Sequence, residues 1–442
     1  MNRVRITVMF GLAMMVLLAG SLFASGKTES TGATQATSAQ PVTISFTWWG
    51  ADVSRDKKYN DIADAFEKSH PNIKIARQFP SWNDYWPKLT TQVAGGNAPD
   101  VMGMHQTKEA DFVHRGALLD LDPFVKDGTI DLSGFPKSVV EAGMLDNKIL
   151  MVAQGVTMTG YLYDTGMFDK LGVKYPTNNW TWDDFGAMAQ QLYKAMKAKG
   201  MDGWGANDDS SGLTSLIVWT REHGKEVFDA NGKLGVNVQD MIDWFTMWDN
   251  LRKTGALPDA ASTVQYRPLG VQQTMFVKGL VPMSTIPFNQ MPNYQRYITD
   301  GNVDGVLRPK IAGGQNGQFV EGSYLAIAST SKYQKQAAEF INYFVNSADA
   351  SKIFMLEQGA MGNSKMNDVV MPMLSPVQQR MIKAIQGGLD VATKIPVPPA
   401  GENQVETSAL RDAADAVAFG KLSIPDAAQQ FVTQATKILQ QQ

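Results

Sequence analysis

Val42-Thr43-Ile44-Ser45-Phe46-Thr47-Trp48, followed by Trp49-Gly50, decides the fold. β-Formers alternate there with hydroxyl residues, the pattern of a strand, and Gly50 breaks it, so the chain turns at the strand's C-terminal end. Beyond the turn, Tyr59, Ile62, Ala63 and Phe66 recur at helical spacing. His70-Pro71 stops that helix, and Ile73-Lys74-Ile75-Ala76 starts a second strand. One β-α-β unit results. Tyr85 to Val93 then reads as a helix, Gly95-Gly96-Asn97 and Pro99 punctuate, and Asp100-Val101-Met102-Gly103-Met104 reads as a third strand. Successive β-α units predict an α/β protein whose mostly parallel sheets carry helices on both faces.

The same grammar runs further along the chain. Thr181-Trp182-Asp183-Asp184 is a capping box that opens a helix from Phe185 to Lys199. Ile242, Phe245 and Trp248 mark another helix face. Tyr324 to Ala328 reads as a strand, and Ser331-Lys332-Tyr333-Gln334 as the cap of a helix carrying Ala338, Ile341, Phe344 and Val345. Pro396, Pro398 and Pro399 form a stiff connector ahead of a wholly helical stretch, 403–442.

Composition narrows the function. A chain of 442 residues suits two or three domains of ~100–200 residues each. A net charge of −3 offers no long-range attraction to nucleic acid or anionic lipid. Residues 1–26 read as an export signal, with Arg3 and Arg5 ahead of an apolar run from Val8 to Ala19 and then small residues. The run is too short to span a bilayer. Residues 27–40 read as a flexible leader, poor in apolar surface. A soluble protein of the periplasm or extracytoplasmic space is expected. With no cysteine there is neither a disulfide framework nor the thiol of a lipoprotein. The histidines at 70, 105, 114 and 223 lack metal-site spacing, Gly95 to Asp100 lacks the Lys-Ser/Thr of a phosphate loop, and no G-x-S-x-G elbow occurs. Neither metal nor cofactor is expected. Asp and Glu total 43, and nothing singles out a catalytic pair.

What stands out is aromatic. Ten Trp and twelve Tyr include several in loops beside polar residues. Sugar rings present flat C–H faces ringed by hydroxyls, so a sugar site needs aromatic platforms for area and planar polar groups for direction. Three places supply both: Trp48 to Asp52 with Arg55, Trp82 to Trp86 including Tyr85, and the stretch from Trp204 through Asn207 and Asp208 to Trp219 and Arg221. Strand alternation puts Trp48 and Trp49 on opposite faces, with Trp48 in the core and Trp49 either platform or core. Trp82 and Tyr85 pose the same choice. Asp52 with Arg55 is either a ligand contact or a surface ion pair. Trp244 and Trp248, four apart, read as helix packing. Trp49, Gln106 and Glu321 fall beyond the carboxyl ends of strands, where α/β folds bind ligands. Arg55, Arg221 and Lys or His neighbours suit either uronic acids or neutral hydroxyls.

The order of segments resembles the extracellular solute-binding proteins of family 1, the group that includes maltodextrin-binding protein. The resemblance rests on the Trp-Trp-Gly strand end, Phe66-Glu67-Lys68 with His70-Pro71-Asn72-Ile73-Lys74-Ile75, and Ala98-Pro99-Asp100-Val101-Met102. It continues through Gly116 to Leu121, Tyr161-Leu162-Tyr163-Asp164, Thr181 to Phe185, and Glu321-Gly322-Ser323. Two departures touch a crossover: members often have Tyr-Asn at Tyr163-Asp164 and Pro at Gln154.

The resemblance implies a two-lobed periplasmic-binding-protein fold, type II-like, with the ligand cleft between lobes. It implies an N-lobe of 41–152 with 318–361 and a C-lobe of 153–317 with 362–442, hinged near 153–160, 312–318 and 361–366. To the ligand residues already named it adds His105, Gln154, Tyr161, Asn289 and Gly322. Glu321 is expected to accept sugar hydroxyls; the rival role is to bond backbone at the crossover. The implied function is the substrate-binding component of an ABC importer, a monomer that closes on a carbohydrate and delivers it to the permease's transmembrane subunits. A secreted carbohydrate-active enzyme is the alternative.

Overall fold

A computed structural model describes residues 41–441 except 51, 107, 110, 111, 114, 268 and 269. The expected export signal and leader lie outside the described residues. Strands β1 (Val42–Thr47), β2 (Ile73–Gln78) and β3 (Val101–His105) form where the alternation predicts them. Helix α1 (Val53–Ser69) buries Tyr59, Ile62, Ala63 and Phe66, the four positions picked out by spacing. Helix α2 (Trp82–Ala94) starts at the Ser81 cap.

A short hairpin follows, β4 (Met144–Leu145) and β5 (Lys148–Ile149), turned by Asp146 and Asn147 at positive φ. Then come β6 (Val152–Thr157), β7 (Thr159–Asp164), β8 (Met283–Pro287), β9 (Val303–Val306) and β10 (Glu321–Ile327).

The first sheet has the order β2-β1-β3-β10-β6. β1 pairs in parallel with β2 and β3, while β10 is antiparallel to both β3 and β6. Four of its strands therefore point one way, as expected, with β10 reversed. The second sheet, β8-β7-β9, is antiparallel throughout, which corrects the expectation of a mostly parallel sheet there. The cause is connectivity: β8 and β9 come from a distant excursion of the chain and flank β7, so no β-α-β crossover sets their direction.

Period-two alternation splits β7 between two cores. Leu162 joins the core that also holds Ile44, Phe46 and Leu325, whereas Tyr161 and Tyr163 join the core of Trp182, Trp244 and Phe431. The second core belongs to helices Trp182–Ala198, Leu213–Glu222, Val238–Lys253 and Ile424–Gln440. Trp182–Ala198 opens with the capping box: Asp184 N donates to Thr181 Oγ1 at 3.1 Å, and Thr181 N to Asp184 Oδ2 at 2.9 Å. Ser331 does not cap helix Gln334–Asn346. Its hydroxyl donates to Asp100 Oδ1 at 2.6 Å instead, which ties the loop to the start of β3.

β6 lies in the first sheet and β7 in the second, so the chain passes between them at Met158, inside the expected 153–160 crossover. Asn363 donates to Asn346 and Ser364 N to Gly134 O, so helix Ser364–Val370 still packs with the first sheet's helices. The return then falls before helix Pro376–Leu389, which bonds to β9 through Arg380 Nε and Val303 O at 3.0 Å.

Candidate functional site

Between the two sheets lies a cavity of about 370 Å³. From the first sheet's side it is lined by Trp82, Gln106, Lys108, Glu109, Glu321 and Tyr324. From the other it is lined by Leu213, Thr214, Ile217, the segment 393–398, Glu402, Asn403 and Glu406.

The aromatic residues expected near the first strand do converge, but only one reaches the cavity. Trp49 is buried, edge-on to Trp82 at 5.4 Å, to Tyr85 at 5.8 Å and to His105 at 6.0 Å. Tyr85 is held at both ends, its ring in the core and its hydroxyl donating to Gly103 O at 2.7 Å. Trp82, 36% exposed, is thus a platform backed by a rigid aromatic shelf. Burial, then Lys108, lowers His105 to about 4, so its ring is neutral at neutral pH.

Gln106 and Glu321 also come together at the cavity. Gln106 Oε1 accepts from Gly322 N, which fixes the carboxamide against β10. A Cβ on Gly322 would stand 2.9 Å from the Tyr324 hydroxyl, so the strand needs glycine there. Glu321 accepts from Thr159 Oγ1 at 2.6 Å. Burial raises its pKa, opposed by that bond and by Arg308. Its partner is a hydroxyl of β7, so Glu321 joins the two sheets as well as facing the cavity.

The other sequence candidates are placed elsewhere. Asp52 caps α1, accepting from Ser54 N at 2.9 Å and Arg55 N at 3.0 Å. Arg55 pairs with Glu357 at 3.0 Å rather than with Asp52. Gln154 is buried between Tyr59, whose hydroxyl donates to its Oε1 at 2.8 Å, and Ser323, which accepts from its Nε2 at 2.7 Å. Tyr161 is buried against Trp180 and Phe185. Trp219 is a core residue, its ring 4.0 Å from His223 and 5.6 Å from Trp244. Arg221 donates to Thr393 Oγ1 at 2.5 Å and Lys394 O at 2.9 Å, pinning the cavity wall from behind. Asn289 donates its backbone N–H to Thr157 Oγ1 at 3.0 Å, beside the β6–β7 passage. Asp208 is bound by Arg252 at 2.6 Å and borders a second cavity. Asp52→Ala is accordingly expected to lower stability by ~1 kcal/mol through loss of the cap while ligand affinity stays unchanged. Urea unfolding with an unmoved midpoint would contradict this.

Sequence reading missed the carboxylates. Glu109 is buried, with Oε2 unbonded, and burial followed by the charge of Glu402 pushes it up to about 8. Glu402 rises to about 7 by burial, then by Glu406 and Glu321. The usable signal was the proline run Pro396 to Pro399 flanked by Lys394 and Glu402, since loops on rigid scaffolds carry binding groups. Among the described residues, no group of three or more His, Asp or Glu is arranged to hold a metal, and no helix is long and apolar enough to cross a membrane.

Two sheets with their own helices, enclosing a cavity lined from both, define a two-lobed ligand-binding protein. The chain belongs to the family described as bacterial extracellular solute-binding protein, which it matches over residues 50–350. A structure of an extracellular solute-binding protein of family 1 from Alicyclobacillus acidocaldarius is 28% identical, with a TM-score of 0.80 over 91% of this chain and 100% of that one. A periplasmic oligogalacturonide-binding protein from Yersinia enterocolitica shares the fold at 20% identity, with a TM-score of 0.77 over 90% of this chain and 99% of that one. A putative binding protein of Brucella abortus is 22% identical over 237 residues, 52% of this chain and 54% of the relative. The chain spans about half the length of such curated relatives.

Proposed function

We propose that this protein captures a saccharide between its lobes and presents the closed form to the transmembrane subunits of an ABC importer outside the cytoplasm. The observation that carries this reading is the cavity wall, where Trp82 offers a ring face and Gln106, Thr214, Glu321 and Asn403 offer hydroxyl partners. Lobes of 41–157 with 321–370, and 158–320 with 376–441, would close by rotation about the segments between them. Arg55 and Arg221 are committed to Glu357 and to the 393–394 region, whereas Lys108 and Lys394 line the cavity beside Glu109, Glu321 and Glu402, so its wall suits neutral and acidic sugars alike. Family membership gives the enzyme alternative no support, and incubation with oligosaccharides is expected to release no product.

A thermal-shift screen over mono- and oligosaccharides tests the reading, because a ligand that binds only the native state raises its melting temperature. Calorimetry with the best ligand should show Trp82→Ala weakening binding by ~1–3 kcal/mol, the loss of a stacking anchor. A full screen without a shift would overturn the saccharide reading; unchanged affinity in Trp82→Ala would remove the platform.

A further inference from the structure

The main cavity encloses two acids that come from opposite sides of the cleft. Glu109 lies on the first lobe, just past β3, and Glu402 opens helix Glu402–Gln404 on the second, beyond the proline connector. Glu109 is 5% exposed with Oε2 unbonded, and Glu402 is partly buried.

The charges around this pair do not neutralise it. Glu321 takes the Thr159 hydroxyl at 2.6 Å and feels Arg308, and Glu406 accepts from Leu213 N and feels Arg411, so each of these carboxylates has its own donor and its own cation. Lys394 of the second lobe acts on Glu109, and Lys108 of the first acts on Glu402. Both lysines act from a distance: among the described residues neither forms an ion pair. The remaining neighbours bring no charge. His105 is neutral at neutral pH, and the Tyr324 hydroxyl on β10, which feels Glu109, keeps its proton. Two carboxyls enclosed together resist ionising together, because burial favours the neutral form of each and the charge of one disfavours the charge of the other. Such a pair holds a proton in common.

We propose that Glu109 and Glu402 form a proton-sharing pair across the cleft, so that closing the lobes takes up a proton and opening them releases it. The cleft is then a latch that acid tightens. The proposal rests on the lobe-closure reading above and adds its control by pH. The direction follows from the two carboxyls. In the enclosed cavity, burial and then the neighbouring carboxylates hold Glu109 up to about 8 and Glu402 up to about 7, against an ordinary value of 4.5. Both are raised, so their contribution to closure is complete below 4.5 and lost as pH passes through 7 to 8.

Small-angle X-ray scattering of the ligand-free protein tests the latch without any sugar. The radius of gyration should be smaller at about pH 5 than at about pH 9, and Glu109→Gln combined with Glu402→Gln should remove the difference. Glu402→Gln alone, at the less buried partner, should reduce it, which guards against a folding defect in the double variant. Calorimetry with the best saccharide from the screen, in buffers of different ionisation enthalpy, should count proton uptake on binding near neutral pH. Affinity should fall at least about tenfold between about pH 6 and about pH 9, and less in either variant. Equal radii at both pH values, the same change in the double variant, or binding without proton uptake would overturn the latch and leave saccharide capture intact. A screen in which no saccharide binds would overturn saccharide capture, while the scattering still decides the latch.

Discussion

Replacing Arg308 by Met is expected to destabilise the protein by ~3–5 kcal/mol, because it strands buried carboxylates without their cation. Arg308 is 3% exposed. Its Nε donates to Ser215 Oγ at 2.9 Å and its Nη1 to Thr159 O, joining helix Leu213–Glu222 to β7. Asp209, Glu321 and Glu222 all feel its charge. Met replaces the apolar stem but neither the donors nor the charge. The carboxyls can limit the loss by taking up protons, so the destabilisation should grow as pH rises. Urea unfolding of the purified variant measures it. A loss below ~1 kcal/mol would mean that the acidic groups are balanced by something other than this guanidinium.

Glu109→Gln is expected to gain stability relative to the natural protein as pH rises. The carboxyl's ordinary value is 4.5 and burial holds it near 8 in the folded protein, so between these values the native state keeps a proton that the unfolded state has released. Stability therefore falls with pH over that window: the favourable contribution is complete below 4.5 and lost once pH passes about 8. Gln cannot ionise and removes the slope. The difference between the two proteins should change by on the order of 2–4 kcal/mol between about pH 5 and pH 9. Parallel stability curves across that range would show that Glu109 does not retain its proton.

Part of the site was legible, and the reason is geometric. Gln106, just past the end of β3, and Glu321 both line the cavity, but Glu321 opens β10 and so lies at that strand's amino end, not beyond a carboxyl end; it reaches the same edge because β10 runs against its neighbours. Trp82 was found as an aromatic at a loop-to-helix start, but its partner Trp49 is buried and Tyr85 is anchored through its hydroxyl. Nothing in the local sequence separates these three. Which ring faces a cavity depends on what packs above it. The same holds for Trp219 and Arg221: both lie in helix Leu213–Glu222, almost all of whose residues are buried. The Pro396 to Pro399 connector became a cavity wall because Arg221 holds its neighbouring backbone from behind, a contact 173 positions apart in the chain.

The sequence by itself determined the local elements: the first β-α-β unit, the four residues that α1 buries, the Thr181 capping box, and the order of segments that marks the family. These follow from backbone periodicity and from hydrogen bonds between residues a few positions apart, which any short window of sequence records. Only the tertiary structure decided the antiparallel second sheet and the meeting of Glu109, Glu321, Glu402 and Glu406 around one cavity. Those depend on pairings such as Thr159 with Glu321, 162 positions apart. Such a bond is set by how whole sheets pack, and burial then alters the carboxylates' protonation, so neither is written in the residues beside them.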